Sequence, residues 1–164
     1  MTLLIRPMTR NDWHVVADIY KQGIDTGNAT FETEVPSLEK WDASHLKKFR
    51  LVAVTDNNIV AWAALSPVSG RRVYAGVAEV SIYVSTKYQG LKIGSRILER
   101  LIAESENNGI WTLQASIFPE NKSSIKLHEN FGFRIIGFRE RIGKMNGVWR
   151  DTILLERRSK IAGS

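Results

Sequence analysis

Three groups in this sequence have the makings of chemistry: a carboxylate on a strand, a glycine-containing loop that opens a helix, and a lone histidine on a short helix. Glu79 begins Glu79-Val80-Ser81-Ile82-Tyr83-Val84, where Val80, Ile82 and Val84 alternate with Glu79, Ser81 and Tyr83 in the period of a strand with two different faces. Next comes Gln89-Gly90-Leu91-Lys92-Ile93-Gly94-Ser95, after which Ile93, Ile97, Leu98, Leu101 and Ile102 recur at helical spacing. A helix starting in this loop points unpaired backbone N–H groups, and the positive end of its dipole, back toward the preceding residues. Such an end binds anions, and glycines let a phosphate approach the backbone closely. The segment reads as a pyrophosphate cradle beside a strand carboxylate, with a plain tight turn as the alternative. A Walker loop is absent, because no Gly-Lys-Ser/Thr occurs, and Gly-x-Gly-x-x-Gly is not met here.

The rest of the chain supplies elements to hold these groups. Leu3 to Arg6 reads as a strand, and Thr9-Arg10-Asn11-Asp12 as a helix cap before Trp13, Val16, Ala17 and Tyr20, with a stop expected near Gly23. Ser37 caps a second helix containing Leu38, Trp41 and Leu46. Leu51 to Thr55 and Ile59 to Leu65 form a hairpin about Asp56-Asn57-Asn58. Asn107-Asn108-Gly109 ends the central helix, Trp111 to Ile117 is a strand, and Ser124 to Asn130 a short helix closed by Gly132. Phe133 to Arg141 and Val148 to Leu155 pair about Asn146-Gly147, a strong hairpin turn. The expectation is one α/β domain over residues 1–164, with a mixed central sheet flanked by helices and a basic tail from about residue 157.

Composition narrows the function. The chain has no cysteine, which excludes disulfides, thiolate metal sites and a cysteine nucleophile. No apolar run approaches a membrane span, and the N-terminus lacks a signal-peptide layout, so a cytoplasmic protein is expected. A net charge of +6 invites a nucleic-acid reading, but the positive residues are scattered, apart from Arg157, Arg158 and Lys160 in the tail. No aromatic residues interleave with them to form a stacking platform. Neither nucleic acid nor membrane is expected as a partner.

The loop resembles the acetyl-CoA-binding segment of the GNAT N-acetyltransferases, Gln/Arg-x-x-Gly-x-Gly/Ala at a helix start. Gln89 and Gly94 fit it, while Lys92 stands where the pattern has its middle glycine. Thr30-Phe31-Glu32-Thr33, Trp62 with Ser66-Pro67, the Glu79 to Val84 strand, and Ser124 to Glu129 together resemble the phosphinothricin and methionine sulfoximine acetyltransferase branch. That branch acetylates the α-amine of small glutamate-like amino acids.

The resemblance implies a GNAT fold, acetyl-CoA as co-substrate, no metal, a small amine as second substrate, and a homodimer. It places a general base at Glu79, since an amine attacks a thioester only after losing its ammonium proton. A glutamate facing solvent or an arginine is the plainer reading of that position. His128 is the second catalytic candidate, with a structural histidine as its alternative, and Tyr83 and Tyr88 are further proton donors. Ile82, Tyr83 and Val84 would pair with the pantetheine arm by strand addition. Gln89, Gly90, Leu91, Lys92, Ile93, Gly94 and Ser95 would hold the pyrophosphate. Asn121 and Ser124 would contact the arm, although Asn121 is equally a helix cap. Arg71 and Tyr74 would meet the substrate, the guanidinium fork suiting a carboxylate; Arg72 is adjacent, and a solvated loop arginine is the alternative. Phe31 would form an apolar wall, or simply anchor its loop. Transfer to a polyamine, an antibiotic or a protein N-terminus stays open, as does a non-catalytic acyl-CoA-binding module.

Overall fold

In the computed structural model, which describes residues 1–164, the chain runs β1 (Leu4–Pro7), α1 (Trp13–Asp25), α2 (Leu38–Ser44), β2 (Leu51–Thr55), β3 (Asn58–Pro67), β4 (Val77–Val84), α3 (Ile93–Asn107), β5 (Thr112–Ile117), α4 (Lys122–Asn130), β6 (Arg134–Met145) and β7 (Val148–Arg158). The seven strands form one sheet in the order β1-β2-β3-β4-β5-β7-β6. Every neighbouring pair is antiparallel except β4 and β5, which are parallel. A parallel pair needs a crossover, and α3 supplies it.

Alternation along β3 and β4 divides the core into two layers. Ala61, Ala63 and Leu65 face the α3 side, where Ile93, Ile97, Leu98, Leu101 and Ile102 are all buried. Each such side chain contributes roughly 1.5–3 kcal/mol of transfer free energy. Trp62 and Ala64 face the other way and pack with Val16, Ile19, Tyr20 and Trp41 from α1 and α2. Tyr83, opposite Trp62 in the β3–β4 register, belongs to this second layer. Glu79 and Ser81 share its face by the alternation of β4.

The feature that positions the site is a short pairing. β4 and β5 are in register only at Val77–Thr112, Ala78–Leu113 and Glu79–Gln114. Beyond Glu79, β4 continues to Val84 and β5 to Ile117 with no ladder between them, and a cavity lies between them. Backbone groups of β4 that face this opening have no strand partner.

Four sequence expectations change. Gly23 lies inside α1, which continues to Asp25. A Cβ there would sit 2.6 Å from the Tyr83 ring, so this glycine makes room for packing and does not stop the helix. Leu46 lies outside α2, because Arg50 draws the chain into a different turn. Its guanidinium takes the carbonyls of Asp42, His45 and Leu46 and lies 4.9 Å from the Trp41 ring centre. The short helix starts at Lys122, with Asn121 as its cap: the Asn121 side chain accepts from Ser124 N–H at 3.3 Å. Arg157 and Arg158, where a basic tail was expected to begin, are the last two residues of β7. Arg157 binds the Phe131 carbonyl and Glu106, and Arg158 binds the carbonyls of Ser159, Ala162 and Gly163.

Candidate active site

Glu79 stands at the last paired position before β4 and β5 separate, facing a cavity of about 240 Å³. Gln114, opposite it on β5, donates from Nε2 to Glu79 Oε1 at 2.9 Å. One carboxylate oxygen is thereby held, and the other is left to meet a substrate. Val80 to Tyr83 form one wall of the cavity, and Ala115 to Phe118 the facing wall. Ala29, Thr30 and Phe31 enter from the α1–α2 connection, and Asn121, Ser124 and His128 from α4 and its cap. No lysine or arginine lines this space. Gln114 was not singled out in the sequence, since its role depends on a parallel register that no local pattern encodes.

A second cavity of about 710 Å³ shares Ala29, Ile82, Tyr83, Asn121 and Ser124 with the first, so the two adjoin. It runs past Val84 and Tyr88 to the start of α3, where Gln89, Gly90, Lys92, Ile93, Gly94 and Ser95 line it. Of the expected loop residues only Leu91 lies outside the wall, and its side chain is half exposed. The first-turn N–H groups of α3 have no side-chain cap and no acceptor within the helix. Lys92 and Lys122 add positive charge to the same cleft, and Glu120 opposes them.

Lys92 caps α3 in the left-handed conformation, φ 61° and ψ 20°. Glycine adopts this geometry at no steric cost, whereas an L-residue gives up roughly 1–2 kcal/mol. The departure from the glycine-containing pattern is therefore one of side chain, while the backbone keeps the shape a glycine would have.

His128 is 4% exposed. Its Nδ1 lies 2.7 Å from the Ser124 carbonyl, which can only accept, so Nδ1 carries the proton and Nε2 the lone pair. Nε2 is buried with no partner in the protein. Burial lowers the pKa of the ring, and the Ser124 hydrogen bond only partly opposes this, so the histidine is neutral at pH 7. In that state it is an acceptor and not an acid. Tyr83 stacks on Trp62 at 4.8 Å and lies 4.8 Å from Tyr20. Burial, with Tyr20 adding to it, pushes the Tyr83 phenol up, so the hydroxyl keeps its proton. Tyr88 lines only the larger cavity.

The expected substrate contacts separate. Phe31 lines the smaller cavity, its ring edge-on to Phe118 at 4.9 Å. Arg71 and Tyr74 line neither cavity; the Arg71 guanidinium lies 5.5 Å from the Tyr74 ring centre, just before β4.

A mixed sheet parted at one parallel pair, with an anion-binding helix start beside the opening, defines a class of α/β proteins that seat an extended, anionic ligand between two strands. Residues 13–133 match the acetyltransferase (GNAT) family, and the chain belongs to it. It is 31% identical over 151 residues to a phosphinothricin N-acetyltransferase of Streptomyces viridochromogenes, covering 90% of this chain and 82% of that one. It is 23% identical over 159 residues to an L-methionine sulfoximine/L-methionine sulfone acetyltransferase of Salmonella typhimurium, covering 94% and 93%. Among solved structures, a phosphinothricin acetyltransferase from Sinorhizobium meliloti in complex with AcCoA superposes with a TM-score of 0.87 at 26% identity, covering 99% of this chain and 91% of that one.

Proposed function

We propose that this protein transfers an acetyl group from acetyl-CoA to the α-amine of a small, glutamate-like amino acid such as phosphinothricin or methionine sulfoximine. The observation that carries the reading is the meeting of the two cavities: a carboxylate at the inner end, and unpaired helix N–H groups at the outer end. The residues fit the co-substrate. The α3 start, with Lys92 and Lys122, suits the pyrophosphate. The unpartnered edge of β4 suits the amide-bearing pantetheine arm.

The chemistry needs three things from the chain. Glu79 takes the ammonium proton, directly or through water, with its carboxylate oriented by Gln114. A backbone N–H near Val84 stabilises the developing oxyanion on the thioester carbonyl. Val80, Ile82, Ala115 and Ile117 supply the apolar part of the lining, which reduces water beside the reacting amine and favours transfer over hydrolysis. Because the Glu79 cavity carries no cation, recognition of a substrate carboxylate is assigned to Arg71, outside that wall. His128 Nε2 is assigned to proton transfer as an acceptor.

The reading includes a cytoplasmic setting and a homodimer. No helix is long and apolar enough to cross a membrane. Release of free CoA, followed across a panel of amines, tests the assignment. Turnover confined to α-amino acids supports it, and turnover only with polyamines or peptide N-termini overturns the substrate class.

A further inference from the structure

The α1–α2 connection carries Ala29, Thr30 and Phe31 into the smaller cavity without helix or strand to hold it. Asn121 Nδ2 donates to its Asn28 carbonyl at 3.2 Å, and from the closing hairpin it is met by a cross-strand pair, Gly143 of β6 and Arg150 of β7, the latter also paired with Glu120 at 3.5 Å. Arg150 is largely buried and lies 4.0 Å from the Phe118 ring centre. From there it donates to the Gly27 carbonyl at 2.9 Å and to Asn28 Oδ1 at 2.9 Å. Three residues beyond Asn28, Phe31 turns its ring onto Gly143. A Cβ at 143 would stand 2.9 Å from two carbons of that ring, closer than real Cβ contacts come. Gly143 does not adopt a positive φ, so its backbone would accept alanine. The three nearest atoms that such a Cβ would meet all belong to the Phe31 ring.

We propose that the Gly143–Arg150 pair determines the size of amine this enzyme accepts, by fixing where Phe31 stands as a wall of the Glu79 cavity. Arg150 pins Gly27 and Asn28 near the start of the loop, and Gly143 gives the aromatic ring its seat. The sheet order places β6 beyond β5 and β7 from β4. A side chain at 143 therefore drives the ring away from β6 and toward the β4–β5 opening, and the cavity shrinks. Loss of the Arg150 hydrogen bonds has the opposite effect, freeing the loop to yield before a larger substrate. Neither residue lines the cavity, so both are positioning residues that act through Phe31. The inference rests on the acetyltransferase reading.

The test compares kcat/KM for L-methionine sulfone with that for L-alanine, and follows KM for acetyl-CoA in parallel. In Gly143→Ala the sulfone-to-alanine ratio should fall about tenfold, the scale of a methylene-sized misfit. Acetyl-CoA KM should stay near the wild-type value. Phe31→Leu added to Gly143→Ala should restore the ratio, because the smaller side chain returns the lost space. Arg150→Met, which keeps the length of the side chain but none of its donors, should raise the ratio, and it stands as an independent arm if Gly143→Ala fails to fold. Equal losses on both amines, or a fall in Gly143→Ala that Phe31→Leu leaves uncorrected, overturns the inference, as does an Arg150→Met ratio that stays put or falls. Wild-type enzyme inactive on every amino acid tried overturns the acetyltransferase reading and the inference with it. Active wild-type enzyme with unmoved ratios overturns the inference alone.

Discussion

Gln114 Nε2 and Glu79 Oε1 are 2.9 Å apart, across the last pair of residues that β4 and β5 share before they separate. The bond lies where a continuous sheet becomes a cleft. The rigid paired segment therefore fixes the carboxylate, while the parted segment supplies the space. A hydrogen bond to a charged group is worth about 1.5–3 kcal/mol. Gln114→Leu should accordingly lower kcat at least tenfold, with acetyl-CoA affinity unchanged by calorimetry. Unchanged kcat would show that Glu79 is oriented by something else.

Lys92 gives a prediction with two signs. Lys92→Gly removes a left-handed L-residue, and the melting temperature should rise in line with about 1 kcal/mol. The same substitution removes a cation from the cleft, so acetyl-CoA binding should weaken modestly, and more at low salt than at high salt. Unaltered affinity at every ionic strength would point the Lys92 side chain away from the phosphates. Gly94→Asp should be far more damaging to binding. It adds a negative charge to the helix start, and its Cβ meets Leu127 at 3.3 Å.

Substrate recognition by Arg71 predicts that Arg71→Ala raises KM for a glutamate-like amino acid far more than KM for acetyl-CoA. Steady-state kinetics with varied amino acid and varied acetyl-CoA separates the two. Equal turnover of an amino acid and its decarboxylated amine would contradict the role.

Buried His128 and half-buried His45 make stability depend on pH. The pKa values of His128 and His45 are both lowered in the fold, chiefly by burial. The unfolded chain then binds protons more readily once the pH drops below the ordinary histidine value of about 6.5. Stability contributed by keeping these rings neutral is present above that value and is lost as pH falls toward their folded pKa. Urea midpoints should decline between pH 7.5 and 5, and His128→Gln should flatten part of the decline. An unchanged slope in the variant would contradict the burial argument.

Much of this was legible in the residues, and the remainder has a physical reason for being hidden. The α3 stripe announced itself because burial of one helix face leaves a 3.6-residue period, and all five of its residues are buried. Asn146-Gly147 announced its hairpin because both residues must take positive φ, and both do, at 50° and 80°. Gly23 misled because a glycine that ends a helix and one that receives an aromatic ring look alike in sequence. Gln114 and Gly143 were invisible, since their partners Glu79 and Phe31 lie 35 and 112 residues away in the chain. The tautomer and neutrality of His128 likewise follow from packing of α4 against the sheet, which spacing does not reveal.

The central claim, that Glu79 removes the amine proton, is tested most directly by the pH dependence of kcat in Glu79→Gln. The substitution keeps the side chain's size and its partner on β5 while removing the basic oxygen. If Glu79 is the base, kcat at neutral pH should fall by about 10²–10⁴. The deficit should shrink as the pH rises and the free amine sheds its proton unaided. A residue that only positions substrate would lower kcat by the same factor at every pH. A Glu79→Gln enzyme with full kcat at neutral pH would contradict the account and leave His128 Nε2 as the proton acceptor.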